Sequence, residues 1–247
     1  MPGHSIQHRA AQVWSFRAGA EREAARRFAR MGDRLAGIGA QAVVVGMARD
    51  AANDELRHAE LCTRLAARFG KVTPSRNGEP GEVAPSGLTP RERVLYEVVA
   101  MSCVTETLSA ALLGEMHERA ADPEVEKTVH EILRDEVQHS RLGWAHLASE
   151  HALGYGRVLG DYLPVMLAGT VTEELFRAGD EADPELAGYG ALPREDRAQI
   201  FTATMRELVF VGLERFGIDT SAGAQWLDKK IDKTVDRRVD KKTDGPA

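Results

Sequence analysis

The chain has 247 residues and a mass of 27.0 kDa, which suits one large domain or two small ones with a real core. Apolar residues make up 43%, which excludes wholesale disorder, and a net charge of −6 counts against a general nucleic-acid binder. Two cysteines, Cys62 and Cys103, with no CxxC pair exclude a disulfide scaffold, a rubredoxin-type iron centre and a cysteine-based zinc site. No apolar run approaches the roughly 20 residues of a membrane helix. The segment MPGHSIQHRA has no signal-peptide core. The expectation is a cytoplasmic protein with no membrane partner.

The apolar spacing is helical almost throughout, with no alternation at period two. Helix 1 runs from Ile6 to Leu35 and ends near Gly37 and Gly39. Helix 2 runs from Gln41 to Phe69, and Gly70 stops it. A loop rich in Pro, Gly and Ser follows. Helix 3 opens with Thr89 as cap, Pro90 at its first position and Glu92 completing a capping box, and it ends near Ala121. Asp122-Pro123 opens helix 4, which reaches His151. Helix 5 covers Val158 to Ala178 with a kink expected at Pro164, and helix 6 covers Arg194 to Phe216. Helix, turn, helix, long crossover, helix, turn, helix is the order of a four-helix bundle with two further helices outside it. The fold class is therefore all-α. The bundle domain is placed at residues 1–220, and 221–247 is a charged tail with an Asp every four residues from Asp228. That tail reads as a solvated extension, with a docking helix as the alternative.

Two segments carry chemistry: Asp54-Glu55-Leu56-Arg57-His58 on helix 2 and Asp135-Glu136-Val137-Gln138-His139 on helix 4. A Glu and a His three apart share one helix face and can present an oxygen and a nitrogen to one metal. With 23 Glu and 8 His in the chain, chance supplies about 0.7 such pairs, so one copy means nothing. An Asp in front lowers the expectation to about 0.05, and there are two copies.

Both pairs lie on apolar stripes. Helix 2 reads Val44, Met47, Ala51, Glu55, His58, Cys62, Leu65, and helix 4 reads Val125, Val129, Ile132, Glu136, His139, Gly143, Leu147. Helix 3 adds Glu106 to the stripe Leu95, Val99, Ser102, Ser109, Leu113. Helix 1 adds Glu21 to Trp14, Ala18, Ala24, Phe28, Met31; Glu23 falls off this stripe and is the runner-up. Four carboxylates carry a charge of −4, which two divalent cations neutralise. Oxygen-rich ligands with one imidazole per metal suit Fe(II) or Mn(II) better than structural zinc.

This pattern resembles the ferritin-like di-iron carboxylate superfamily, whose ligand set is one Glu from each of two helices and a Glu-x-x-His from each of the other two. EREAARRF, DELRHAELC, SCVTETLSA and DEVQHSRLGW are further similar to a bacterial group of ferritin-like proteins, over most of residues 10–220. The resemblance implies that Glu21, Glu55, His58, Glu106, Glu136 and His139 bind two Fe ions, with Mn or a mixed Fe/Mn pair as the alternative. It makes Glu55 and Glu136 the bridging carboxylates. It makes Asp54 and Asp135 outer residues that each orient the opposite helix's histidine. Gln138 stands where Arg57 has its counterpart, so the outer ring is asymmetric. His146, seven after His139, reads first as a hydrogen-bonded histidine at the core edge, with an extra ligand as the alternative.

Lesser candidates are read as follows. Cys62 and Cys103 are placed about 10 Å apart along the bundle and unpaired. Thr105 and Ser109 read first as packing residues, with proton-delivery hydroxyls near the metals as the alternative; Glu173 and Glu174 are candidate caps from helix 5 that nothing in the sequence demands; and Arg22, Arg26, Arg27 and Arg30 form a solvated face. The implied function is activation of O₂ or peroxide to oxidise a small organic substrate, with an electron donor if the protein is an oxygenase. The alternative is iron handling, as a ferroxidase or a rubrerythrin-like peroxide scavenger. A tRNA-modifying hydroxylase also fits the superfamily, but the acidic balance makes RNA the weaker partner. The two outer helices either cover the bundle or build a homodimer interface.

Overall fold

Four long helices carry the four apolar stripes: α1 (Ile6–Gly37), α2 (Ala42–Phe69), α3 (Pro90–Arg119) and α4 (Pro123–Ala152). The computed structural model describes residues 6–70, 81–170 and 184–230, and no strand occurs among them. Each boundary has a local cause. Gly39 takes a left-handed φ of 71° in the turn between α1 and α2. Thr89 and Glu92 form the expected capping box at the start of α3. Asp122 accepts from the backbone N–H groups of Glu124 (2.9 Å) and Val125 (3.3 Å) at the start of α4.

Cross-contacts fix the directions. Arg22 reaches Thr63, and Gly32 packs on Ala48 and Arg49, so α1 and α2 are antiparallel. Arg91 reaches Glu150, and Gly143 abuts Ser102, so α3 and α4 are antiparallel too. His58 meets Asp135 while His139 meets Asp54, which sets α2 antiparallel to α4.

The core divides in a way that places the site. One apolar cluster joins Trp14, Leu61, Leu65, Leu113, Val129 and Ile132. A second joins Phe28, Leu35, Val44, Ala48, Val98 and Leu142. Between them, on all four helices, lie Glu21, Glu55, His58, Glu106, Glu136 and His139. A third cluster builds the outer layer, where Leu163, Leu167, Phe201, Met205 and Phe210 pack against Leu95, Val99 and Cys103. This layer comprises α5 (Leu159–Thr170), a 3₁₀ turn (Pro184–Tyr189), α6 (Arg194–Thr204), a π-helical turn (Met205–Val209) and α7 (Phe210–Arg215).

Several expectations change. Helix α5 is described to Thr170 with Pro164 inside it; the rest of the predicted helix, with Glu173 and Glu174, lies outside the described residues. Residues 221–230 form a helix, α8, whose Leu227 is fully buried, so the packed body reaches into the segment read as a tail. The remainder of the Asp-Lys repeat lies outside the described residues. Helix α3 is long and apolar enough to cross a membrane by length and composition, contrary to the reading of the sequence. Most of its apolar stretch is buried inside the protein, however, and it carries the buried Glu97 and Glu106. It is a core helix. The arginine face is braced rather than simply solvated: Arg22 donates to Thr63 at 2.9 Å, Arg27 to Glu23 at 2.6 Å and Arg30 to the Gly81 carbonyl at 2.9 Å.

The middle of α3, Val99–Glu106, is π-helical. An extra residue in the turn widens the helix, and such stretches gather at functional sites. Thr105 Oγ1 donates to the Ala100 carbonyl at 2.9 Å, which helps satisfy the widened backbone. Gly143 of α4 lies against this stretch; a Cβ there would meet Cys103 Sγ at 2.7 Å and the Cys103 backbone nitrogen at 2.8 Å. Gly143→Ala should cost about 1–3 kcal/mol, because backbone cannot move aside cheaply. Thermal melts should show the loss, and a melting temperature equal to the wild type would refute the close approach.

Candidate metal centre

The structure brings all six predicted residues together in the middle of the bundle. Ligand-type atoms of Glu21, Glu55, His58 and Glu136 lie within 4.8 Å of one another, and so do those of Glu55, Glu106, Glu136 and His139. All six are buried, from 0% exposed at His58 to 7% at Glu21. Glu55 and Glu136 belong to both groups. Each group then adds one further carboxylate and one histidine. These buried groups can hold a metal ion.

Glu21 and Glu23 now separate. Glu21 faces the cluster, whereas Glu23 bonds to Arg27 on its own helix. The cluster is short of partners in a way that fits a cation: Glu55 Oε2 and His58 Nδ1 are sealed from solvent without a hydrogen bond. A buried polar atom left so costs roughly 1–3 kcal/mol, and a metal at that point removes the cost.

The histidines are aimed by the aspartates of the opposite motif. His58 Nε2 lies 3.2 Å from Asp135 Oδ2, and His139 Nε2 lies 3.4 Å from Asp54 Oδ2. A neutral ring that donates Nε2–H to a carboxylate keeps a lone pair on Nδ1. Those Nδ1 atoms face inward: His139 Nδ1 is 3.1 Å from Glu136 and 3.2 Å from Glu55, and His58 Nδ1 is 3.4 Å from Glu55.

Arg57 joins the two aspartates. It donates to Asp54 at 2.9 Å, to Glu131 at 2.8 Å and to Asp135. Burial opposes the charge on Asp135, but hydrogen bonds from Arg57 and His58 hold its carboxyl down at about 2. Gln138, the counterpart of Arg57, is exposed and accepts from Arg141. One clamp therefore serves both histidines. Arg57→Ala should weaken metal binding about 10–100-fold, as loss of an outer support does. A titration that shows wild-type affinity would remove Arg57 from this role.

Four carboxylates in one dry space distort each other's protonation. Burial, then the Glu55 charge, raise Glu21 to about 8 despite Arg17 beside it at 3.0 Å. Burial and the Glu136 charge push Glu106 well above the carboxylate range. Burial also opposes charge on Glu55, but the His139 and His58 rings, 3.2 and 3.4 Å away, overcome it and hold Glu55 at about 2. Desolvation opposes the imidazolium at His139, yet Glu136 and Glu55 raise it to about 10. The metal-free cluster is thus a proton store, with acid protons on Glu21 and Glu106 standing where cationic charge belongs.

Of the lesser candidates, Ser109 is at the site and donates to Glu136 Oε1 at 3.3 Å. Thr105 is exposed and spends its hydroxyl on the backbone, so it is not. His146 is buried but belongs to neither ligand group; seven residues place it about 10 Å along the axis from His139. Cys62 and Cys103 are free and buried, and burial raises both thiols well above their usual value. Sequence reasoning missed Arg17, whose Nε bonds to Glu21 and whose Nη1 lies 3.7 Å from Met116 Sδ. Its place one turn before Glu21 was the available signal. Comparison with protein-family models, curated proteins and solved structures gives no match.

Proposed function

We propose that the cluster binds two divalent iron ions in a ferritin-like bundle, and that the protein uses them to oxidise a small organic substrate. One observation carries the reading: Glu55 and Glu136 belong to both ligand groups, so two ions would share them. Glu21 and His58 would complete one position, and Glu106 and His139 the other. Four carboxylates balance two divalent ions, which leaves the loaded core neutral. When bound, the metals would supply the redox chemistry that activates O₂ or peroxide. Manganese would fit the same oxygen-rich donors.

The chain's own residues supply the rest. Asp54 and Asp135 fix the imidazole tautomer, and Arg57 fixes the aspartates. Ser109 offers a hydroxyl proton to Glu136 Oε1. Arg17 holds one oxygen of Glu21 and leaves the other for the metal. Phe28, whose ring centroid lies 5.5 Å from that of His139, and Cys62 keep water from the cluster. An oxygenase of this kind would also take electrons from a donor.

Anaerobic Fe(II) loading followed by O₂ exposure tests this. Uptake should stop at two irons per chain and the ferric absorption should appear once. Continued uptake into a mineral would move the reading to iron storage. One ion or none would overturn it.

A further inference from the structure

A second polar feature runs through the core beyond the cluster. The inward face of α4 continues past His139 as Gly143, His146 and Glu150, at helical spacings of four, three and four, and all of these are buried. Opposite it on α3 stands Ser102, with no solvent exposure. Ser102 Oγ and His146 Nε2 are both sealed from solvent and without any hydrogen-bond partner. Two such atoms in an apolar core would each cost roughly 1–3 kcal/mol, and natural proteins meet that cost with ordered water.

The two residues lie about one turn apart along the facing helices. Gly143 abuts Ser102, and His146 is one turn further along α4. Ser102 lies four residues before Glu106 on the π-helical stretch, whose wide turns stack the two side chains on one face. His146 and Glu150 are four apart on α4. Glu106 to Ser102 on α3 and His146 to Glu150 on α4 are each steps of about one helical turn, roughly 5–6 Å between Cβ atoms, which one water can bridge, and the contact of Gly143 with Ser102 joins the two halves into a row. The outer end reaches solvent through Arg91, which is 27% exposed and holds Glu150 by two bonds of 2.6 and 2.8 Å.

We propose that Ser102 and His146 hold buried water, and that this hydrated row is the route by which protons pass between the metal cluster and the Arg91–Glu150 pair. An imidazole with one nitrogen donating and the other accepting passes a proton without net change: it takes one on one nitrogen and gives one from the other. His146 suits this because burial, with Arg91 nearby, disfavours its charged form against the pull of Glu150. Leu95, Val99, Leu142 and Leu147, from the same stretches of α3 and α4, are fully buried and apolar and offer a proton no foothold.

The hydration stands on the packing alone; the proton role rests on the proposed redox function, and the test separates them. A high-resolution crystal structure should show ordered water on Ser102 Oγ and His146 Nε2. The double variant Ser102→Ala, His146→Leu should lose that water and bind two irons as the wild type does. Its single-turnover oxidation by O₂ should slow at least about tenfold, with an altered solvent deuterium isotope effect. His146→Gln, which keeps a polar partner for water but cannot take up and release a proton, should hold the water and still oxidise slowly, and it serves as the control if the double variant folds poorly. A dry row in the wild type, or an unchanged oxidation rate in a dry variant, overturns the proposal. A protein that binds no iron sinks the proposed function, and the water count then judges the row alone.

Discussion

Glu106→Gln is expected to abolish tight binding of the second metal and yet raise the melting temperature of the metal-free protein. Glu106 is 5% exposed, and burial together with Glu136 drives its carboxyl well above the usual range. Near pH 8 the native fold must therefore hold a proton on it or bear an uncompensated buried charge. Glutamine has the same shape and no charge, so metal-free stability should rise by about 1–3 kcal/mol. At roughly 2–4 °C per kcal/mol for a chain of this size, the shift is easily read. Metal affinity should fall more than the 10–100-fold typical of an outer-shell loss, because a ligand itself is removed.

Glu55→Gln should show the opposite sign on stability with the same loss of metal. Glu55 is held low because His139 and His58 lie at 3.2 and 3.4 Å, so removing its charge strands buried histidines. Breaking one side of a buried pair costs about 3–5 kcal/mol. Melting curves in chelator, with metal content measured on the same samples, compare the two variants. Wild-type binding by Glu106→Gln, or stabilisation by Glu55→Gln, would refute the assignment of charges within the cluster.

The readability of these residues in the sequence follows from what an apolar stripe records. A charged residue in the middle of a stripe must be buried, so Glu55, Glu106, Glu136 and both histidines were legible from spacing alone. Glu21 over Glu23 was decided the same way, and the structure agrees. What spacing does not record is the partner across the gap. The motif puts Arg57 in the outer ring, but does not show its bond to Asp135 of α4. Nor does spacing record the contact of Arg17 with Met116 of α3. Thr105, adjacent to Glu106, points to a different side of the helix and spends its hydroxyl on the Ala100 carbonyl. The π-helical stretch of α3 leaves no mark, because one inserted residue keeps the apolar face nearly continuous. The helix over 221–230 is masked in the sequence by the charged repeat that begins at Asp228, although Gly223 and Leu227 are buried and Ala224 and Trp226 pack against the outer layer.

The second large effect concerns pH. Without metal, stability should fall as pH rises from about 5 to 9, which is unusual for an acidic protein. Glu21 stands at about 8 in the native state, against 4.5 ordinarily. The native state therefore keeps a proton that the unfolded chain has already lost. Protons bound by the native state alone make unfolding easier as pH rises, so this contribution is full below about 4.5 and gone above about 8. The span is worth on the order of 3–5 kcal/mol. His139 acts in the same direction: it rises from 6.5 to about 10, so its contribution is full below 6.5 and is lost as pH climbs through 10. Glu55 acts oppositely but elsewhere. At about 2 it supports the fold above 4.5 and withdraws that support only in strong acid. The metal-free optimum should thus lie near pH 5. Divalent metal reverses the slope, because its ligands must be deprotonated and binding strengthens as protons become scarce. Melting temperatures measured with chelator and with Fe(II) under anaerobic conditions should diverge steadily from pH 5 to 9. A metal-free melting temperature that climbs across this range would show that Glu21 and Glu106 are not the proton store the buried cluster requires.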